Sequence, residues 1–266
     1  MNANKRKLQR IAVLVSVGRH PVSGVARYSR NDAAALGMAV ALAASTSGIS
    51  IDVIHAGNPD NSALSEYLAL GAATVKVVET AADQDVLPGL KQHLENYDLV
   101  LCGSRAEGGE ESGLLPYLLA SELSLPLVAG VIAVTPDADG VVTQQFLPKG
   151  RRREIGVTLP AMLMVHPLAP SSVRYAYAKL RAGSIQKQTP LRAIANASYA
   201  QQGWTVAASK TRPLKLVAQE KRSGHARMLS ATVTESRGGQ VIQQGSASEK
   251  AQAVLAYLRE HRLVDY

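Results

Sequence analysis

The sequence predicts an α/β protein with a doubly wound parallel sheet and a C-terminal extension. Continuous apolar, β-branched runs such as residues 11–17 are typical of strands buried on both faces of a parallel sheet. Helix-forming stretches separate these runs at the spacing that right-handed strand–helix–strand crossovers require. The chain has 266 residues, 46% of them hydrophobic, which is enough for a sizeable core and excludes a wholly disordered protein.

The first half of the chain predicts five strands that alternate with four helices. Asn31 or Asp32 can accept a hydrogen bond at the start of the first helix, and Gly71 ends the second helix as a C′ glycine. The strands are expected at 11–17, 49–55, 74–79, 98–102 and 127–134. The helices are expected at 33–45, 62–70, 85–96 and 111–123.

A different pattern begins near Asp137, where Asp-Ala-Asp-Gly is a turn signal. Residues 141–147 and 152–159 alternate in polarity and predict a hairpin, and residues 160–166 predict a further apolar strand. The end of the chain is polar until a last amphipathic helix at about 248–262. We therefore expect an α/β domain over 1–190 and a C-terminal arm over 191–266 that packs against another surface.

The net charge of +8 is concentrated in the second half of the chain. Residues 1–140 carry 10 Lys and Arg against 15 Asp and Glu, whereas residues 141–266 carry 19 against 6. A half this basic favours an anionic partner, namely nucleic acid, a membrane surface or an acidic protein. With one Trp, one Phe and no helix-turn-helix signature, the chain fits an acidic protein best, and a solvated basic surface is the alternative.

Several function classes are disfavoured by the composition. Apolar stretches such as 114–120 and 159–165 are much shorter than the ~20 residues of a membrane span. The single cysteine, Cys102, excludes an internal disulfide, and the six histidines show no metal-ligand spacing. No nucleophile or acid–base set stands out, so an enzyme is not expected. The basic, then apolar N-terminus is interpreted as a first strand rather than a secretory signal, which predicts a cytoplasmic protein.

The loop after the fourth predicted strand, residues 104–113, carries the most chemical information and is called the glycine loop below. Glycines let the backbone approach a ligand closely, and the helix that follows presents free N–H groups to an anion. We therefore predict a phosphate here, with Ser112 adding a hydroxyl, and a glycine-rich surface turn is the alternative. The acidic residues Glu107, Glu110 and Glu111 are expected to face solvent as charges at a helix N-terminus.

Two other strand ends support a nucleotide cleft. Small residues follow the first strand at 16–18 and the second at 56–57, and parallel strands end at the same edge of a sheet. His55 ends a strand near this edge, where a structural role is the simpler interpretation. Cys102 is expected to be an inert core thiol.

Residues 97–134 resemble the signature of the electron transfer flavoprotein β subunit. That family has a strand ending in glycine, an acidic and glycine-rich loop, a helix containing proline and leucines, and a closing proline. Here these elements are Gly103, the glycine loop, Pro116 and Pro126. Further matches follow in the family's order, in the segments 13–17, 55–75, 159–161 and 174–176, so that the resemblance covers about residues 10–185.

The resemblance implies an adenine nucleotide alpha hydrolase-like α/β fold and the role of an electron carrier rather than an enzyme. The β subunit of that family pairs with an α subunit that holds most of the FAD, and the pair carries electrons from flavin dehydrogenases to a quinone oxidoreductase. In most members the β-subunit cleft binds AMP, and in electron-bifurcating relatives it binds a second FAD. The C-terminal arm would embrace the α subunit.

Two sets of residues are assigned by position in the resemblance. A segment after the last predicted strand would dock partner dehydrogenases; its residues are Arg174, Tyr175, Ala178, Lys179, Leu180 and Arg181. The AMP cleft would be lined by Ser16, Asn31, Asp32, Ala56, Gly57, Gly103, Gly108, Gly109, Ser112 and Gly113.

Some positions depart from the family's pattern. Asp32 stands where proline is usual, Ala33 where many members carry an aromatic residue, and Gly18 where a basic residue is common. These departures indicate a specialised partner, and an amine-demethylating dehydrogenase is the donor we expect. Two other classes stay open: a stand-alone nucleotide sensor of the universal-stress-protein type, and an adenylating or nucleotide-hydrolysing enzyme with a carboxylate pair or reactive lysine at the glycine loop.

Overall fold

The computed structural model describes residues 7–81, 84–108, 112–171, 173–188, 223–225, 228, 241–260 and 263–264. The chain divides into two compact units, Met1–Trp204 and Thr205–Tyr266. The boundary predicted at residue 190 lies within the first unit, in a stretch outside the described residues.

The described part of the first unit alternates strands and helices. The strands are β1 (Arg10–Leu14), β2 (Val17–Arg19), β3 (Ala26–Tyr28), β4 (Ser50–Gly57), β5 (Thr74–Glu79), β6 (Leu99–Gly103), β7 (Leu127–Asp137), β8 (Gly140–Phe146), β9 (Arg152–Thr158), β10 (Ala161–Val165) and β11 (Ser184–Gln188). The helices are α1 (Arg30–Ser45), α2 (Leu64–Leu70), α3 (Leu87–Leu94), α4 (Leu115–Glu122) and α5 (Tyr177–Ala182).

Nine strands form one sheet in the order β11-β5-β4-β1-β6-β10-β7-β8-β9. The seven strands from β11 to β7 pair in parallel, and β8 and β9 continue the sheet as the predicted antiparallel hairpin. The chain runs from β1 outward through β4 and β5, and then returns to β6 on the other side of β1. The topological switch point therefore lies between β1 and β6, and the predicted doubly wound α/β fold is confirmed.

The central strands are apolar throughout because both faces of the sheet are covered. Ile11 and Val13 of β1 pack into the core beneath α1 and α2. Ala12 and Leu14, which alternate with them, pack into the core beneath α3 and α4. Side chains of a strand point to opposite faces in turn, so two buried faces require the unbroken apolar run seen in the sequence.

Three local features differ from the sequence predictions. The predicted strand 11–17 ends at Leu14, and Val17 begins a separate two-stranded hairpin, β2–β3. The predicted helix 111–123 begins only at Leu115, where Pro116 occupies the first turn. Helix α5 and the edge strand β11 occur in a basic stretch for which no element was predicted.

The described part of the second unit includes the helix α6 (Ala247–Glu260). A capping box starts it: the Ser246 hydroxyl accepts from Glu249 N at 3.3 Å, and the Glu249 carboxylate accepts from Ser246 N at 2.7 Å. The predicted helix at 248–262 is confirmed over residues 248–260, and its last two positions lie outside the described residues.

Candidate functional site

A single buried carboxylate joins the strand ends at the switch point. Ser16 follows β1, Gly103 ends β6, and Asp32 lies in the first turn of α1. Asp32 Oδ2 accepts hydrogen bonds from Ser16 N at 2.8 Å and Ser16 Oγ at 2.6 Å, and Asp32 Oδ1 accepts from Gly103 N at 3.1 Å. The structure thus brings together three of the residues predicted to line the cleft.

The environment of Asp32 makes its charged form less favourable than in water, although the carboxyl is still ionised at neutral pH. Asp32 is buried, with only 4% of the residue exposed to solvent. Burial raises the pKa of the Asp32 carboxyl to about 6, although hydrogen bonds from Ser16, Ser29 and Gly103 oppose this shift. Ser29 is also the N-cap of α1, because its hydroxyl accepts from Asp32 N at 3.3 Å.

Tyr67 supports the same site from the neighbouring helix α2. Its hydroxyl donates to Ser16 O at 2.6 Å and accepts from Ser29 N at 2.9 Å. The residue is fully buried, and burial together with the nearby Asp32 charge raises the pKa of the phenol well above its usual value. Sequence reasoning missed Tyr67, which carries no signal beyond an apolar position on an amphipathic helix.

The glycine loop folds back over the hairpin β2–β3 through Glu107. Glu107 Oε2 accepts from Arg27 Nη2 at 2.9 Å, and Glu107 Oε1 accepts from Arg30 N, the first backbone N–H of α1, at 3.0 Å. Glu107 N donates to Ser16 Oγ at 3.3 Å. The expectation that Glu107 faces solvent was wrong, because its carboxylate pairs with donors 77 and 80 residues earlier in the chain.

Glycines allow this close approach of loop and hairpin. A Cβ atom at Gly108 would collide with the Val17 carbonyl oxygen, and one at Gly18 would lie 2.7 Å from Glu107 Cβ. Gly18 therefore makes room for the Glu107 side chain. The glycines here admit another part of the same chain rather than an open cleft.

The other residues predicted for the AMP cleft have different surroundings. Asn31 Nδ2 donates to Arg105 O at 3.1 Å and ties the glycine loop to α1. Ala56 and Gly57 end β4, one strand away from the switch point. Ser112 Oγ accepts from Leu114 N at 3.3 Å and precedes α4, with Gly113 beside the start of the loop. Gly109, Glu110 and Glu111 lie outside the described residues.

The segment predicted to dock dehydrogenases, residues 174–181, lies on the surface beside α2 and is called the docking segment below. Ala176 N donates to Ala69 O at 2.9 Å, and Gly183 packs closely on Leu68, which anchors α5 to α2. Of its six predicted residues, Leu180 is half-buried; the exposed ones are Arg174, Tyr175, Ala178, Lys179 and Arg181.

His55 and Cys102 have structural surroundings. His55 is buried, and its Nδ1 lies 2.9 Å from Val15 O. Burial lowers the pKa of His55 and raises the pKa of the Cys102 thiol. Within the described residues, no group of three His, Cys, Asp or Glu side chains could hold a metal ion.

Comparison with known proteins decides the family. Residues 23–193 match the electron transfer flavoprotein domain family. The chain is also similar to the electron transfer flavoprotein subunit beta of Chromohalobacter salexigens, with 36% identity over 261 residues, or 96% of this chain and 95% of that protein. The chain belongs to the electron transfer flavoprotein β-subunit family. It is therefore an electron-carrier subunit rather than an enzyme, and the family inferred from residues 97–134 is confirmed.

The family match covers β3, α1, the glycine loop and the docking segment, and it begins after β1 and Ser16. Among the residues that the structure describes, no helix combines the length and apolar character needed to cross a membrane.

Proposed function

We propose that this chain is the β subunit of a heterodimeric electron transfer flavoprotein. Its α-subunit partner would hold most of the FAD, and the pair would carry electrons from a flavin dehydrogenase to a quinone oxidoreductase. For the donor we propose an amine-demethylating dehydrogenase. The observation that carries the proposal is similarity to a named β subunit along nearly the whole of both chains, which includes the C-terminal residues as well as the α/β unit.

The exposed apolar side chains of α6 support a partner for the C-terminal arm, residues 191–266. Val254 is 59% exposed and Tyr257 44% exposed, on a helix that contains no buried residue. Short helices are marginal in water unless an apolar face is packed. We therefore propose that the arm packs on the α subunit.

We propose a cytoplasmic location, because the apolar run near the N-terminus is a strand of the sheet rather than a cleaved signal. Residues 10–14 form β1, a central strand paired on both sides by β4 and β6. Removing that run as a signal would remove the middle of the sheet.

Co-expression with an α subunit tests the proposed function. We expect the two chains to purify as a yellow 1:1 complex that releases one FAD per heterodimer on denaturation. A visible spectrum and mass spectrometry of the released nucleotides are the measurements. A colourless chain that purifies alone with ATP or AMP would contradict the carrier role and favour a stand-alone nucleotide sensor.

The docking segment is proposed to steer an acidic dehydrogenase surface through Arg174, Lys179 and Arg181. All three side chains are exposed, and α5 is fixed to α2, so the charges are presented on a defined surface. Exposed charges act mainly on the association rate, and salt screens them within about 8–10 Å at physiological ionic strength.

Reversing all three charges to Glu is expected to slow association of the heterodimer with its dehydrogenase by about tenfold or more at low salt. The difference should shrink as salt rises, which stopped-flow measurements at several ionic strengths would show. The matched control reverses Lys149 and Arg151 in the β8–β9 turn and Arg153 at the start of β9, which are all exposed and change the net charge equally. Equal slowing by both triple variants would contradict a local docking role.

The resemblance implies a bound AMP, but the N–H donors at the switch point are already paired with carboxylates of this chain. A phosphate there would need the N–H donors that face the end of the sheet, but Asp32 already accepts from Ser16 and Gly103. Glu107 accepts from the first N–H of α1 and from Arg27. The residues at the start of α1 therefore do not fit an added phosphate as they stand.

A further inference from the structure

We propose that the Glu107 carboxylate takes the place of a nucleotide phosphate at the switch point, so that this β subunit holds no AMP there. The inference deepens the proposed function and rests on it, because the family is the reason to expect a nucleotide.

Glu107 occupies the donors that an anion would use. Anions bind at helix N-termini through free backbone N–H groups and the helix dipole. At α1, the N–H of Arg30 donates to Glu107 Oε1 at 3.0 Å, and the adjacent cation of Arg27 donates to Oε2 at 2.9 Å. The Glu107 side chain is 19% exposed and that of Arg27 29% exposed, so this is a partly desolvated pair rather than a loose surface contact.

The backbone around Glu107 holds the carboxylate in this position. Glu107 N donates to Ser16 Oγ, and Asn31 Nδ2 donates to Arg105 O two residues earlier. On the other side, the Gly108 backbone lies against the Val17 carbonyl too closely for any side chain. The loop backbone is therefore fixed beside the start of α1, which keeps the Glu107 carboxylate within reach of Arg27 and of the Arg30 N–H.

Electrostatics also disfavours a second anion. Asp32 lies two residues from Arg30 in the first turn of α1, so an entering phosphate would meet the carboxyl groups of both Asp32 and Glu107. Like charges at short range in a partly buried site repel strongly. The same reasoning applies to the pyrophosphate of a second FAD, so we expect one FAD per heterodimer.

Removing the carboxylate should open an anion site. Arg27 Nε is buried and has no hydrogen-bond partner within the described residues. Without Glu107, this nitrogen, Arg27 Nη2 and Arg30 N would all be available, and two neighbouring guanidinium N–H groups suit bidentate binding of a phosphate. The variant would thus have an open anion site at the position that the Glu107 carboxylate occupies in the wild type.

The test measures ligand-induced thermal stabilisation of the full-length chain, wild type and Glu107→Ala, with AMP, inorganic phosphate or adenosine. We expect none of the three to stabilise the wild type, whereas AMP and phosphate stabilise Glu107→Ala and adenosine does not. The gain in AMP affinity should be about tenfold or more, as for other charge-assisted contacts. Stabilisation of Glu107→Ala by AMP, but not by phosphate or adenosine alone, would indicate recognition of the whole nucleotide. It would still support the proposal that the Glu107 carboxylate takes the place of a nucleotide phosphate.

The matched control is Glu66→Ala. Its carboxylate accepts from Tyr28 N at 2.8 Å on the same hairpin, but it does not touch the start of α1, so this variant should gain no AMP binding. If Glu107→Ala fails to fold, Glu107→Gln removes the charge with nearly the same shape and should show a smaller gain.

Two results would overturn the inference: AMP binding by the wild-type chain, or an equal response of the Glu107 and Glu66 variants. AMP released in equal amount with FAD from the wild-type heterodimer would overturn it as well. That last result would leave the carrier role standing, whereas failure to form a flavin-containing heterodimer would contradict the carrier role without affecting the thermal measurements on the chain itself.

Discussion

Tyr67→Phe is expected to lower the free energy of unfolding of the chain by about 2–4 kcal/mol, because it leaves one buried and one partly buried backbone group without a partner. The Tyr67 hydroxyl donates to Ser16 O and accepts from Ser29 N, and neither group is given another partner by the change. The ring itself stays, so the effect belongs to one oxygen atom. Urea denaturation followed by circular dichroism would measure it.

Tyr28→Phe is the matched control for this prediction. The Tyr28 ring packs edge-on against the Tyr67 ring with a centroid distance of 6.2 Å, but its hydroxyl makes none of the described hydrogen bonds. We expect this variant to stay within about 0.5 kcal/mol of the wild type. Similar losses in both variants would mean that ring packing, and not the hydroxyl bridge, stabilises this region.

Asp32→Asn is expected to destabilise the chain strongly at low pH and less at neutral pH. The neutral carboxyl group that Asp32 carries at low pH has an oxygen at both positions, whereas the amide has an NH2 group at one of them. A buried N–H of Ser16 or Gly103 then faces a donor and loses its acceptor, at a cost of about 1–3 kcal/mol. In the wild type, the Asp32 pKa rises from 3.8 to about 6 on folding because the carboxyl is buried.

The sign of the pH dependence follows from that shift. Between pH 3.8 and about 6 the native chain keeps a proton that the unfolded chain has lost, so the Asp32 contribution to wild-type stability decreases as the pH rises through this window. A shift of about two pH units corresponds to about 3 kcal/mol. The stability difference between wild type and Asp32→Asn should therefore shrink by up to that amount between pH 4 and pH 7.

Asp52→Asn should show the opposite trend. Burial by itself would raise the pKa of Asp52, but Tyr97, Lys76 and Arg10 lower it overall. A lowered pKa contributes stability that is present above the unfolded pKa and lost as the pH falls, so this variant should be most harmful at neutral pH. A stability difference for Asp32→Asn that does not change with pH would contradict the assigned burial effect.

The fold could be predicted because its signals are local and periodic. The unbroken apolar run that contains β1 indicates a strand with two covered faces, and alternation at β8 and β9 indicates a hairpin. The hairpin β2–β3 was not predicted, since Val15 and Val17 on either side of Ser16 look like a continuation of the same β-branched strand. Hydrogen bonds from Ser16 to Asp32 hold the chain at the end of β1, and these two residues are 16 positions apart.

The candidate site was predicted in position but not in detail. Small residues at the ends of β1 and β6, next to a glycine loop, indicate the switch point, and Ser16, Asp32 and Gly103 do meet there. The direction of the Glu107 side chain could not be predicted, because a charge before a helix suggests solvent unless a distant donor is known. The role of Tyr67 could not be predicted either, because its hydroxyl bonds to Ser16 and Ser29, which are 51 and 38 residues earlier in the chain.

Composition and periodicity by themselves determined the parallel α/β architecture and the edge of the sheet at which the candidate site lies, whereas the family was indicated by the resemblance of residues 97–134 to a known signature. Only the tertiary structure decided which donors meet which acceptors at those ends. Glu107 finds Arg27 and Arg30 across 77 to 80 residues, and Tyr67 reaches Ser16 across 51. Glu107 meets its partners only when β6 returns beside β1, and Tyr67 meets Ser16 only when α2 packs against the same face of the sheet. The filling of the switch point is therefore a property of the strand order and packing rather than of any local segment.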